Sequence, residues 1–411
     1  MSKKFLGAAR SPHGLGVFKD HETDWVFKRT LEQMSEKAAE IGECLFTASR
    51  INEIDGESWI NAWADLGEKV LLHGQESFRS GCPVSARESF IRASNYFRTA
   101  EYGCSPSHPR FHELWKKSYD AFHAACPLFD PPIQVLQIPF ENKLLPGYFW
   151  RPDNRSVNRP TMISVGGNDS SGEEMFITTG FGAVRRGYNY LTFEYPGHRG
   201  TVHLYPDCVK RPDYEIPFET VLDFLEILPG VDERIALGGF SYGGYVAARV
   251  ASFEKRIRAV IPDSPVVDIP VLVLSGFLGP LIKGVPRAIL DKVIKRRLRN
   301  SPITKALLDY SAWTWGAQSL SEEFELESFN RHNIREDIRS ITCPALALVG
   351  KDEGEEMVKQ AKFFYENISS KDKTLYIFSR EVDGSNDHCQ LDNFSRAHQV
   401  AYDWLDKIFK K

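Results

Sequence analysis

Over 411 residues, hydrophobic side chains make up 42% and charged ones 26%, enough material for a large core and too apolar a balance for wholesale disorder. Lys and Arg number 51 against 55 Asp and Glu, a formal charge of −4, which excludes a nucleic-acid binder with a uniformly basic surface. Seven cysteines stand without CxxC spacing, Met1-Ser-Lys-Lys-Phe5 starts no apolar leader, and the most apolar window, Ile269 to Ile282, is broken by Pro270, Gly276, Gly279 and Pro280; the expectation is a reduced, cytoplasmic protein with no disulfide framework, zinc site or membrane partner.

From Asp24 to about Ala125 apolar residues recur at spacings of three and four, as in Trp59, Trp63, Leu66, Val70 and in Phe111, Leu114, Trp115, Phe122. This predicts an N-terminal helical domain over 1–130. Asp130-Pro-Pro132 punctuates the chain, and strand signals follow. Ile133–Phe140 and Leu144–Trp150 read as a hairpin. Strands are then expected at Thr161–Val165, Tyr188–Tyr195, Arg234–Phe240, Ile257–Pro262, Ala345–Val349 and Thr374–Phe378. Helices are expected between them at Met175–Arg186, Phe218–Leu228, Tyr242–Phe253 and Glu355–Asn367, with Phe394–Phe409 closing the chain. Short apolar strands alternating with amphipathic helices imply an α/β domain over 131–411, a doubly wound, mostly parallel sheet with its chemistry at the carboxyl ends of the strands. The connection after Ser264 is far longer than a crossover needs, so about 265–341 is read as a helical lid insertion over the site.

Gly239-Phe240-Ser241-Tyr242-Gly243 is a GxSxG pattern between a strand and a helix, where small residues allow a strained turn that exposes the serine hydroxyl. A hydroxyl is a weak nucleophile at neutral pH, so a base and an orienting acid should follow in the order Ser, Asp/Glu, His. Asp352 lies in the loop after the Ala345–Val349 strand and is the expected acid, with Glu353 and Glu355 as rivals. His388, in the loop after the last core strand, is the expected base. An oxyanion hole needs two backbone N–H groups. One is expected from Tyr242, the other from Gly167 or Asn168 in Gly166-Gly167-Asn168-Asp169-Ser170. Glu173 and Glu174 read as a charge match to a helix N-terminus.

These residues bring the chain close to a known group. GxSxG with Asp352 and His388 resembles the α/β-hydrolase superfamily over about 131–411. The helical N-terminal domain, Gly166-Gly167-Asn168-Asp169-Ser170-Ser171-Gly172-Glu173-Glu174, Tyr195-Pro196-Gly197 and Asp387-His388-Cys389 are similar to one branch. That branch holds polyketide-shortening hydrolases of melanin and other pigment pathways and the 2,6-dihydroxypseudooxynicotine hydrolase. Where it often has a Gly-Pro-Gly-Gln-Gly-like loop, this chain reads Tyr195-Pro196-Gly197-His198-Arg199-Gly200. The resemblance implies a Ser241-Asp352-His388 triad, cleavage of a carbon–carbon bond next to a ketone, and a homodimer. In a β-dicarbonyl substrate the chemistry is a retro-Claisen cleavage that needs no metal or organic cofactor. A carboxylesterase or acyl-peptidase with the same triad is the alternative. Val271 to Leu281 with Trp313 and Trp315 would line an apolar pocket or simply pack a core. The basic run Lys292-Val-Ile-Lys295-Arg296-Arg297-Leu-Arg299 would dock an acidic acyl carrier protein or form a solvated helix face.

Overall fold

A computed structural model describes residues 4–5, 8–9, 13–276 and 279–410. Phe277 and Leu278, within the apolar run expected to line a pocket, lie outside the described residues. After a short antiparallel pair of strands, Lys4–Phe5 with Ala8–Ala9, come five helices: α1 (His21–Glu32), α2 (Ile41–Ala48), α3 (Gly56–Arg79), α4 (Pro83–Glu101) and α5 (Phe111–Ala125). Their starts follow from local chemistry. Asp20 caps α1 by accepting from the Thr23 amide, Asp55 caps α3, and Pro83 occupies the first turn of α4, where no N–H partner is lost. Helices α3 and α4 pack closely because Gly67 faces the Phe97 ring, where an added Cβ would come within 2.8 Å. Between them Trp59, Trp63 and Tyr96 form a buried aromatic chain with successive centroids 5.7 and 5.8 Å apart.

The sheet has eight strands: β1 (Gln134–Phe140), β2 (Lys143–Trp150), β3 (Arg159–Val165), β4 (Asn189–Phe193), β5 (Val231–Phe240), β6 (Ile257–Asp263), β7 (Ala345–Gly350) and β8 (Lys373–Phe378), in spatial order β1-β2-β4-β3-β5-β6-β7-β8. The β1–β2 and β2–β4 pairs are antiparallel and the rest parallel. This is the expected α/β architecture. Fully buried strands such as β4 and the apolar β7 occupy its interior, as a sheet covered on both faces requires. Register aligns the strand ends: Val165 pairs with Gly239, Phe240 with Asp263, and Gly350 with Phe378. The loops beginning at Gly166, Ser241, Ser264, Lys351 and Ser379 therefore leave from one edge.

Two stretches differ from expectation. The single helix read over Met175–Arg186 is built from Gly172–Met175, a π-turn at Phe176–Gly180 and Phe181–Val184. There the Thr179 hydroxyl donates to the Met175 carbonyl at 2.8 Å, a side-chain bond that competes with regular helix geometry. A short helix, Arg199–Leu204, follows β4, where no helix is expected from the sequence. Between β6 and β7 the chain folds into short helices including Ile269–Ser275, Arg287–Arg297, Pro302–Thr314 and Leu320–Glu323. The base of this insertion is tied by Ile269 N to His332 O at 3.0 Å and Ile334 N to Val267 O at 2.8 Å. Gln360, from the Glu355–Asn367 helix, accepts from the Val267 and Asp268 amides. No described helix is long and apolar enough to cross a membrane.

Candidate active site

Strand β5 ends at Phe240, and Ser241 turns the chain with φ 57° and ψ −114° before the Tyr242–Phe253 helix begins. A left-handed φ is strained for serine. The Ser241 amide donates to the Asp263 carbonyl at 2.6 Å, holding the turn against β6. Side chains are excluded around it: a Cβ at Gly239 would lie 1.9 Å from the Gly243 carbonyl, and one at Gly244 2.1 Å from the Ser264 carbonyl. The Ser241 hydroxyl lies 2.9 Å from His388 Nε2, and His388 Nδ1 lies 2.6 Å from Glu353 Oε2. With Nδ1–H donating to the carboxylate, Nε2 is left to accept the serine proton.

The structure brings Glu353, not the expected Asp352, to His388. Asp352 is half-buried, and its carboxylate accepts from the Asn386 side-chain amide at 2.7 Å. The Glu353 amide closes a turn onto the Gly350 carbonyl at 3.2 Å, which swings residue 353 back beneath the imidazole, and the longer side chain spans the remaining distance. Glu353 is fully buried; it also accepts from the Ser264 hydroxyl and the Gly350 amide, each at 2.5 Å. Glu355, the other rival, is exposed at the start of the following helix.

Tyr242 is the first residue of its helix, so its amide has no carbonyl a turn earlier and points with the helix dipole toward the cleft. Gly167 approaches from β3: an added Cβ there would meet the Phe240 carbonyl and Ser241 Cβ at 3.1 Å. Asn168 lines the same cleft, and its side-chain oxygen accepts from Lys210. The Tyr242 ring is fixed at its far end. Its hydroxyl donates to His332 Nε2 at 2.8 Å, since His332 Nδ1 donates to the Ser328 carbonyl at 2.6 Å. Burial pushes the His332 imidazole down to about 3, keeping it neutral and able to accept.

The cleft holds about 1100 Å³ of space between atoms, partly open to solvent. The insertion supplies Val266, Ile269, Leu272, Trp315 and Phe329 to its walls. Trp315 thus lies where an apolar pocket was expected. Trp313 does not; it packs on Phe111 and His203, with centroids 5.1 and 5.0 Å away. Sequence reasoning missed the contribution of α1. Trp25 and Arg29 line the cleft, and Trp25 Nε1 and Lys28 both donate to Asp387, next to His388. Arg29 makes two 2.6 Å bonds to Glu174 and one of 3.1 Å to Asp169. Burial alone would lower the guanidinium, but these two carboxylates hold it well above its ordinary value. Glu174 therefore does more than match a helix terminus, and Glu173 accepts from the buried Tyr148 hydroxyl. Among the described residues no group of His, Cys, Asp and Glu is arranged to hold a metal ion.

A serine on a sharp strand-to-helix turn, with a histidine and a carboxylate from later loops of one parallel sheet, defines an α/β-hydrolase. The chain belongs to the alpha/beta hydrolase family, whose profile matches residues 144–401. It is 29% identical to the 20-hydroxy-prefusarin hydrolase FUS2 of Gibberella moniliformis over 96% of this chain and 98% of that protein. With the hydrolyase poxO of Penicillium oxalicum it shares 33% identity over 74% of this chain and 75% of the relative. Among solved structures it is similar in fold to the 2,6-dihydroxy-pseudo-oxynicotine hydrolase, with a TM-score of 0.72 at 21% identity, covering 92% and 96% of the two chains.

Proposed function

We propose that this chain is a serine hydrolase that cleaves a carbon–carbon bond next to a ketone in a polyketide or related β-dicarbonyl substrate, shortening it by an acyl unit. The observation that carries this reading is the hydrogen-bonded line from Glu353 through His388 to Ser241, opening on a largely apolar cleft. The resemblance to polyketide-shortening hydrolases supports the substrate class, as does a full-length relative named for its action on 20-hydroxy-prefusarin.

In the mechanism, His388 takes the Ser241 proton as the hydroxyl oxygen adds to a carbonyl carbon, and Glu353 stabilises the imidazolium. The developing oxyanion meets the amide of Tyr242 and that of Gly167 or Asn168. As the tetrahedral intermediate collapses, the bond to the α-carbon breaks and its electron pair passes into the neighbouring carbonyl as an enolate. His388 returns the proton, releasing a ketone. Water activated by His388 then hydrolyses the acyl-serine to a carboxylic acid and restores the enzyme.

The exposed basic residues Lys292, Lys295, Arg296, Arg297 and Arg299 support docking of an acidic acyl carrier protein that delivers the chain. The test is incubation with 1-phenyl-1,3-butanedione. The expected products are a shortened ketone and a carboxylic acid in equal amounts, with none from Ser241→Ala. An intact diketone alongside rapid p-nitrophenyl ester hydrolysis would overturn carbon–carbon cleavage and leave a carboxylesterase.

A further inference from the structure

At the insertion side of the cleft, Glu323 closes the short Leu320–Glu323 helix and is 3% exposed. It lines the same cavity as Ser241 and His388. One carboxylate oxygen accepts from the Ser311 hydroxyl at 3.2 Å. The other, Oε2, is buried with no hydrogen-bond partner among the described residues. Burial pushes this carboxyl up to about 7 against the attraction of Lys210. Lys210, 2% exposed, is the neighbouring cation, yet it does not satisfy Oε2. It donates to Asn168 and to the Thr314 hydroxyl at 2.7 Å, with its ammonium 4.9 and 5.0 Å from the Tyr242 and Trp315 rings. Most buried polar atoms in native proteins are satisfied, by protein, water or ligand, because desolvation without a partner is costly.

We infer that Glu323 is a second recognition point of the cleft, a carboxyl oxygen that accepts a hydrogen bond from an enol or phenol hydroxyl of the substrate. This rests on the proposed substrate class and adds to it. The cavity that Glu323 shares with Ser241 is also lined by Leu272, Val273, Leu307, Trp315 and Phe329, so the ligand that suits it is a largely apolar frame carrying an O–H donor. A hydrocarbon or fully O-methylated frame leaves Oε2 unmet.

The test reads binding rather than turnover, so it is independent of whether carbon–carbon cleavage occurs. In the Ser241→Ala chain, calorimetry compares 1,3-dihydroxynaphthalene with 1,3-dimethoxynaphthalene, which keeps the shape and removes the donors. The dihydroxy compound is expected to bind about tenfold more tightly. Adding Glu323→Gln is expected to cut that preference to about threefold or less while the dimethoxy affinity stays put. Equal binding of the two probes, binding of neither, or a full preference surviving Glu323→Gln would each overturn the inference. Should Glu323→Gln not fold, Ser311→Ala keeps the carboxylate but frees its orientation. A preference reduced by about threefold then supports the inference, and an unchanged one overturns it.

Discussion

The carboxylate of Glu353 accepts three hydrogen bonds, from His388, the Ser264 hydroxyl and the Gly350 amide, so its position is over-determined, whereas among the described residues the Asp352 carboxylate accepts from Asn386. In the proposed mechanism the acid fixes the imidazole tautomer, and replacing it by an amide presents a donor to Nδ1. Glu353→Gln is therefore expected to lower kcat for p-nitrophenyl acetate by about 10³- to 10⁴-fold. Asp352→Asn should change it by less than about threefold. A reversal of these two results would return the role to Asp352. That Ser241 and His388 meet was legible because GxSxG and a histidine after the last strand are local patterns. The acid was not: two adjacent carboxylates share the loop, and only the backbone turn from Gly350 to Glu353 decides which faces the imidazole.

Among the elements, α1 shows why helical periodicity under-reads function. Its spacing marks a helix, but Asp24 and Arg29 are buried, and a polar face normally signals solvent. Asp24 accepts from the Leu15, Val17 and Phe18 amides of the segment just before the helix, while Arg29 spans Glu174 and Asp169 after β3 and Trp25 and Lys28 reach Asp387 after β8. Such long-range pairing leaves no mark on local sequence. Arg29→Met leaves Glu174 with Arg98 at 3.4 Å as its remaining cation, and the variant should lose about 3–5 kcal/mol of stability in urea unfolding. The insertion is clamped in a different way, through neutral His332 accepting from Tyr242. Its folded pKa of about 3 lies below the unfolded 6.5, so on acidification the unfolded chain takes up the proton first. That contribution is intact above pH 6.5 and is lost as pH falls toward 3. Between pH 6.5 and 4.5 the parent chain should lose about 2–3 kcal/mol more than His332→Gln, at about 1.4 kcal/mol per pH unit. Parallel pH profiles for the two would show that His332 is not held neutral.

For the molecule as a whole, one buried apolar core runs through the helical segment at Trp59, the sheet at Ile163 and the insertion at Leu307. The three parts therefore frame the cleft together, as the lining residues Trp25, Ser241 and Trp315 record. The alternating strand pattern made the sheet legible, but no local signal says that the helical segment also walls the site. On the outer side of the insertion, the Arg287–Arg297 helix buries Ile294 and exposes Lys292, Lys295, Arg296 and Arg297. Local charge of one sign on a chain of net −4 steers a partner of opposite sign without attracting acidic molecules to the entire surface. At an ionic strength of about 0.15 M the screening length is about 8 Å, and at 1 M about 3 Å, so docking that depends on this helix must weaken as salt rises. For a polyketone carried on an acyl carrier protein, kcat/KM should fall by about tenfold between 0.05 and 0.5 M NaCl. The same acyl chain as a free N-acetylcysteamine thioester should show almost no salt dependence. Reversing Lys292 and Arg296 to glutamate should remove the carrier's advantage at low salt and leave the free thioester unaffected. An equal salt response for the two substrates would mean the basic helix is a solvated face and the acyl chain enters unescorted.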